Sequence, residues 1–471
     1  MANRYWIGGT GTWTDTAHWS TSDGGSGGAT VPTSSDSVFF TVNSYNNNYT
    51  VTMTTGANCL DMTWANPSSG KPTMAGSNIS INIYGSLTLV ASMGLTFYGG
   101  INFLATSSKN ITTAGNTWIS GDNFTFNGSG GTWVLQDNLT FADYVTSITI
   151  TNGTFNTSGK TVTVGSVYVN GGTITLGTST INCLYQWNYS SGTVNANTSS
   201  IVVTAHGYFS GGGKTYYNMS INNYYTFGVS QWISITGTNT FNNLTLTNAT
   251  YPNDGFDIFD NQTVNGTLTI AGNSASNRLW IYGGRGMGTA VTFALGTTGT
   301  ANLSNCDFMD ITITGTNAPI SGGGIASYGE TNYNTYYQID ATNPDTYLMG
   351  EVFNNIVADT LNGCKFYLFK SGTPTGNIHA ALYAVTGTYG SDAALTGSAL
   401  ATSDAFDVST LTGSPQLISF SFSGYSLAAN TNYAIVVDTT GSTSNSSNCI
   451  NIGVGGNGYG YSGNVTYENQ Y

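Results

Sequence analysis

Short runs in which apolar and polar residues alternate recur along most of this chain, each closed by Gly, Asn or Ser. Ile79-Ser80-Ile81-Asn82-Ile83, Phe124-Thr125-Phe126, Ile148-Thr149-Ile150, Val162-Thr163-Val164 and Val167-Tyr168-Val169 all show the period of two that marks a half-buried strand. A glycine-threonine turn punctuates them at Gly131-Thr132, Gly153-Thr154, Gly172-Thr173, Gly192-Thr193 and, with one residue inserted, Gly213-Lys214-Thr215. Successive glycines lie 22, 19, 20 and 21 positions apart. A repeat of about 20 residues with strand chemistry predicts a parallel β-helix, a β-solenoid with one coil per repeat.

The pattern continues less regularly through residues 241–246, 264–270 and 311–313, which places the solenoid over residues 76–316. At about 20 residues per coil this predicts about 12 coils. Residues 1–75 follow a different pattern, with Trp6, Trp13 and Trp19 set among glycine runs and Val31-Pro32-Thr33 leading into Ser37-Val38-Phe39-Phe40. They predict an N-terminal cap and docking module, because the first coil of a solenoid exposes an unpaired strand edge that aromatic residues can cover. Residues 317–332, with Pro319 and Ser321-Gly322-Gly323-Gly324, have linker composition. Beyond them the repeat stops and longer alternating strands appear around residues 365–369, 378–383, 417–422 and 433–437. This predicts a C-terminal β-sandwich of jelly-roll type over residues 333–471, in a chain that is all-β.

Composition gives the physical reason for the repeat. Only 7% of the 471 residues are charged and 62 are glycine, against roughly 25% charged in average soluble proteins. Equivalent positions on adjacent coils lie about 4.8 Å apart, where like charges repel and Asn, Ser and Thr form hydrogen-bonded ladders. Between Asp143 and Asp254 there is no acidic residue, and Lys160 and Lys214 are the only fixed cations. The net charge of −13 repels phosphates, so neither nucleic acid nor an anionic membrane is expected as a partner. Cys59, Cys183, Cys306, Cys364 and Cys449 are widely spaced and odd in number, as for free thiols. An N-terminus without an apolar signal core, and the lack of any 18-residue apolar run, predict a protein made in a cytoplasm and not inserted in a membrane.

Several motifs lack the context that chemistry would need. Gly211-Gly212-Gly213-Lys214-Thr215 ends like a phosphate-binding loop, but Tyr208 stands where that pattern needs glycine; Gly159-Lys160-Thr161 fails likewise at Thr154. Gly24-Gly25-Ser26-Gly27-Gly28 matches a nucleophile elbow by composition only, with no helix following. His18, His206 and His379 share no metal-ligand spacing, and no cofactor is implied. Asp254, Asp257 and Asp260 are the one acidic cluster beside the solenoid; a solvated turn is the ordinary explanation, with cation binding and glycan hydrolysis as alternatives. Aromatic clusters at Tyr185, Trp187 and Tyr189 and at Tyr216 and Tyr217, extended by Tyr224, Tyr225 and Trp232, are candidates for stacking on sugars, for core stacks or for subunit contacts. Tyr459 and Tyr461, in the glycine-rich tail, join the glycan-binding candidates.

The opening 4–13, with His18-Trp19-Ser20 and Val31-Pro32-Thr33, resembles the N-terminal module of tailed-bacteriophage virion proteins. Residues 241–246, 265–270 and 305–313 look like the β-helical shafts of phage fibres, and 372–377 with 427–433 are similar to sandwich domains at the ends of phage and bacterial surface proteins. The resemblance implies a virion structural protein, commonly a homotrimer, joined to other virion proteins through its N-terminal module. Its function would be that of a tail fibre or tailspike-like adhesin that attaches to host-surface glycan without cleavage. A head fibre or capsid decoration protein is the second reading. A polysaccharide-degrading tailspike, resting on Asp254, Asp257 and Asp260, is the third. Such enzymes usually set carboxylates along the solenoid flank, and this chain departs from that pattern between Asp143 and Asp254.

Overall fold

A computed structural model describes residues 2–54, 56–119, 121–204, 208–223, 232–248, 255–273, 279–284, 290–309, 311–316, 333–339, 341–342, 347–355, 358–387, 394–455 and 465–467. The protein is all-β, with a parallel β-solenoid of about 11 turns and a C-terminal sandwich of two antiparallel sheets. The chain falls into two compact bodies, residues 1–224 with 233–245, and residues 225–232 with 246–471. The expected linker, 317–332, lies outside the described residues.

In the first body the coils stack as three columns of short parallel strands. One column carries the glycine-threonine repeat: Ser108 pairs with Thr132, Thr132 with Thr154, Thr154 with Thr173 and Thr173 with Thr193. The second runs through Thr161, Thr180, Ser200 and Asn218. The third includes Val167, Trp187, Phe209 and Ile235. Residues 1–75 contribute to the same ladder, since Asn3 pairs in parallel with Ser37, Val38 with Met62, and Met62 with Leu87. Trp19–Ser20 folds back antiparallel on Asn3–Trp6, Tyr5 to Ser20 and Trp6 to Trp19, which covers that rung. Trp6, Trp13 and Trp19 are buried and meet edge to face at about 5 Å between ring centres, so the tryptophan-rich opening fills the interior.

Strand alternation decides what the coils bury. Phe103, Phe126 and Phe155, from three successive coils, form a continuous stack with ring centres 4.9 and 4.3 Å apart. Hydroxyls and amides fill the corners: Thr157 Oγ1 lies 2.6 Å from Ser179 Oγ, and Asn116 Nδ2 donates to the carbonyl of Val90. Cys59, Cys183, Cys306, Cys364 and Cys449 are free thiols.

The second body holds further parallel coils, in which Gly255–Ile258 pairs with Leu279–Gly283 and Gln262–Val264 with Val291–Leu295. It also holds the sandwich, whose eight main strands are Tyr333–Ile339, Leu348–Asn355, Asp359–Ser371, Asn377–Thr386, Ala394–Thr402, Gln416–Leu427, Thr431–Asp438 and Cys449–Gly455. First pairs with eighth, second with seventh, third with sixth and fourth with fifth, all antiparallel. That nested pairing is a long hairpin wrapped on itself into two sheets, a jelly roll. Leu368, Phe420, Ile450 and Ile452 from one sheet pack against Met349, Ile378, Ala380 and Val437 from the other.

Candidate functional site

The third column of the first body presents a solvent-facing row that sequence reasoning did not single out. Because strand side chains alternate, each inward Val, Phe or Trp leaves its neighbour pointing outward. The outward residues fall in register: Asn58, Asn82, Asn102, Thr125, Thr149, Tyr168, Asn188, Ser210 and Thr236. None is charged, and every one is half-buried by its neighbours on the face.

The row is tied together by its own side chains. Asn82 Nδ2 donates to Asn58 Oδ1 and Asn102 Nδ2 to Asn82 Oδ1, both at 2.9 Å. Farther along, Gln186 Nε2 donates to Tyr168 Oη at 2.6 Å, and Asn188 Nδ2 donates to Tyr208 Oη at 2.9 Å. Each of these tyrosine hydroxyls is thus oriented by an amide and retains its own proton to donate outward. At the corner leading into this column stand Tyr98, Tyr144, Val145 and Tyr208, which are 48%, 61%, 50% and 38% exposed. They account for half of the exposed large apolar side chains among the described residues and form an aromatic rail beside the amide row. Fixed amides and hydroxyls edged by exposed rings suit a neutral polyhydroxylated ligand, which needs both hydrogen bonds and apolar contact.

The aromatic candidates from the sequence divide into two groups. Trp187 and Tyr216 are corrected: both are buried inside the coils, where Trp187 Nε1 donates to Tyr216 Oη at 3.2 Å, and neither ring can reach a sugar. Burial pushes the Tyr216 phenol well above its usual range, in keeping with that interior position. Tyr185, Tyr189 and Tyr217 are half-buried, and Tyr185 leads directly into the strand segment that carries Gln186 and Asn188. Tyr189 donates its hydroxyl to the Gly192 carbonyl, while Lys214 Nζ lies 4.8 Å from its ring centre. Tyr459, Tyr461, Tyr224 and Tyr225 lie outside the described residues.

Gly212 makes the Tyr189 arrangement possible. Its φ is +61°, and a Cβ there would come within 1.9 Å of Tyr189 Cδ1. Gly212→Ala is expected to lower stability by about 1–3 kcal/mol, through left-handed strain and a displaced ring. Urea denaturation followed by circular dichroism measures this, and an unchanged midpoint would contradict the packing described.

Part of the acidic cluster lies among the described residues. Asp254 lies outside the described residues, Asp257 sits mid-strand in Gly255–Ile258, and Asp260 follows in the turn. Among the described residues no group of three His, Cys, Asp or Glu side chains is gathered for an ion. Burial pushes the Asp257 carboxyl up to about 6. Nor is any helix among the described residues long and apolar enough to cross a membrane.

The fold and this face define a β-solenoid protein with a jelly-roll sandwich and an uncharged ladder on one side. No known protein family matches the chain, and no curated protein resembles it in sequence.

Proposed function

We propose that the chain is a bacteriophage virion structural protein, a tail-fibre or tailspike-like adhesin that holds a host-surface glycan without cleaving it. One observation carries the reading: nine outward rungs of the third column contain no charge, and toward their far end Tyr168 and Tyr208 are set by Gln186 and Asn188 as hydroxyl donors. A neutral glycan offers the matching acceptors, and the tyrosines of the rail offer apolar faces for its ring carbons. The absence of any carboxylate in that row favours holding over hydrolysis, which needs an acid and a base or nucleophile flanking the bond. The resemblance of the opening segment to phage docking modules, and of the coils to fibre shafts, supports a virion location, assembly as a homotrimer and attachment to other virion proteins.

The test is incubation of the purified protein with a panel of bacterial surface polysaccharides, recording both retention and new reducing ends. Retention of at least one neutral polysaccharide with no release is expected. Release of oligosaccharide would replace the adhesin with an enzyme, and retention of none would remove the glycan reading.

A further inference from the structure

Seven of the nine tryptophans are interior residues, each 2% exposed or less; Trp232 and Trp280 are the exceptions. These two meet each other on the outward face of the second body's coils, with ring centres 6.2 Å apart and planes at 74°. Tyr282 joins them, 6.5 Å from Trp232 and at 86° to it. The strand register places acids on both sides of these rings: on one coil Gly255 pairs with Trp280 and Asp257 with Tyr282, and on the next Asp307 pairs with Trp280. Trp232 lies over Gly255, where a Cβ would stand only 2.7 Å from its ring, and Phe259, 37% exposed, projects from the next outward position beyond Asp257. Residues across a strand pair stand about 5 Å apart and next-nearest positions along a strand about 7 Å apart, so all four rings border one carboxyl.

We propose that Trp232, Trp280, Tyr282, Phe259 and Asp257 form a binding cage for an ammonium group carried on a surface glycan. Trp232 meets both Trp280 and Tyr282 edge to face, so these rings do not offer the open parallel platform that a neutral sugar stacks on. They present steeply tilted ring faces beside a carboxyl, a setting that attracts an alkylammonium or amino group. The acid supplies the opposite charge. The ion pairs among the described residues are Arg4 with Asp36 and His18 with Asp15, and Asp257 belongs to neither. Its carboxyl is pushed up to about 6 by burial alone, the cost of a carboxylate without a counter-ion. A bound ammonium would remove that cost. Since the chain carries −13 overall, its field also draws a cationic group in.

Trp232 and Trp280 report on the site directly, because an added solute quenches half-buried indoles before buried ones. The experiment titrates the full chain with choline and with 3,3-dimethylbutan-1-ol, which has the same shape and no charge, while tryptophan fluorescence is recorded. Glucosamine against glucose repeats the comparison on a sugar and separates an amino-sugar ligand from a quaternary one. Saturable quenching by choline or glucosamine is expected, with the uncharged partner at least about tenfold weaker. Asp257→Asn is expected to weaken the charged ligand by about tenfold and leave the uncharged one unaffected. Equal binding of charged and uncharged partners, no saturable quenching, or indifference to Asp257→Asn would overturn the proposal. The neutral face of the first body shares no residue with this cage, so either reading can fail while the other stands.

Discussion

Phe126→Ala is expected to cost the protein about 3–5 kcal/mol, close to the most that a single core truncation removes. Phe126 is the middle ring of the Phe103–Phe126–Phe155 stack, and Trp133 packs against it from the side at 5.4 Å. All four rings are 1% exposed or less. The coils cannot collapse into the vacated volume, because backbone pairing fixes the strands above and below, as in Phe103 to Phe126 and Phe126 to Ile150. The cavity therefore persists, and its cost adds to the lost transfer energy. Phe126→Leu, which keeps most of the volume, is expected to recover more than half of the loss. Urea unfolding monitored at two wavelengths would show the midpoint falling with little change in slope; a loss below about 1 kcal/mol would mean the stack is not a core element.

The second large effect concerns pH. Two acids, the buried Asp122 and the half-buried Glu351, one in each body, oppose ionisation. Asp122 is 1% exposed, and its pKa is pushed up to about 7: burial outweighs the amide donors of Gly99 and Ile119, and Asp143 nearby adds repulsion. Glu351 stands in the sandwich opposite Ile435, with Oε1 sealed from solvent and without a hydrogen-bond partner, and burial raises its pKa well above the usual value. A carboxyl whose folded pKa exceeds its unfolded one stabilises the protein fully below the unfolded value. That stability disappears as pH rises through the folded value. For Asp122 the window runs from about pH 4 to about 7 and amounts to at most about 4 kcal/mol. Melting temperatures are accordingly expected to be higher at pH 5 than at pH 8, opposite to the trend for salt-bridged carboxylates. Glu351→Leu removes a half-buried acid whose Oε1 is sealed without a partner and is expected to raise stability at pH 8 by about 1–3 kcal/mol. A melting temperature that rises with pH in the wild type would contradict the Asp122 assignment, and one that falls in Glu351→Leu would contradict that of Glu351.

Much of the architecture is legible in the sequence where alternation and turn chemistry agree. Thr132, Thr154, Thr173 and Thr193, each following a glycine, are register partners on successive coils, so the period marks a real ladder. The fifth turn breaks it. Thr215 opens a strand that pairs Asn218 with Ser200 in the second column, because the chain goes from Gly211-Gly212-Gly213 directly into that column and skips a side. Tyr216, which follows, turns inward under Trp187 at 5.9 Å and fills the space a strand would otherwise cover. An aromatic run read from sequence cannot be assigned to surface or core at such a point, which is why Trp187 and Tyr216 were expected among the binding residues.

The first coils were obscured for a different reason. Their strands are separated by long loops, as in the 34-residue step from Asn3 to Ser37, so no period emerges. Conversely, the solvent-facing row was written in the sequence as Val167-Tyr168-Val169 and Ile148-Thr149-Ile150. What was missing is the lateral register, a non-local property that places Tyr168 beside Asn188 and Thr149. The amide ladder of Asn58, Asn82 and Asn102 needs the same knowledge, since its members are 24 and 20 residues apart.

The uncharged third-column face is the proposed glycan-holding surface. It is tested most directly by the affinity of wild type, and of a Tyr168→Ala, Tyr208→Ala double variant, for the polysaccharide that the wild type retains. Both residues are outside the coil interior, so the fold should persist, with circular dichroism unchanged. Loss of two oriented hydroxyl donors and two ring faces is expected to weaken binding by about tenfold or more. Equal affinity of variant and wild type would show that the ligand lies elsewhere, and the face would then be a structural ladder only.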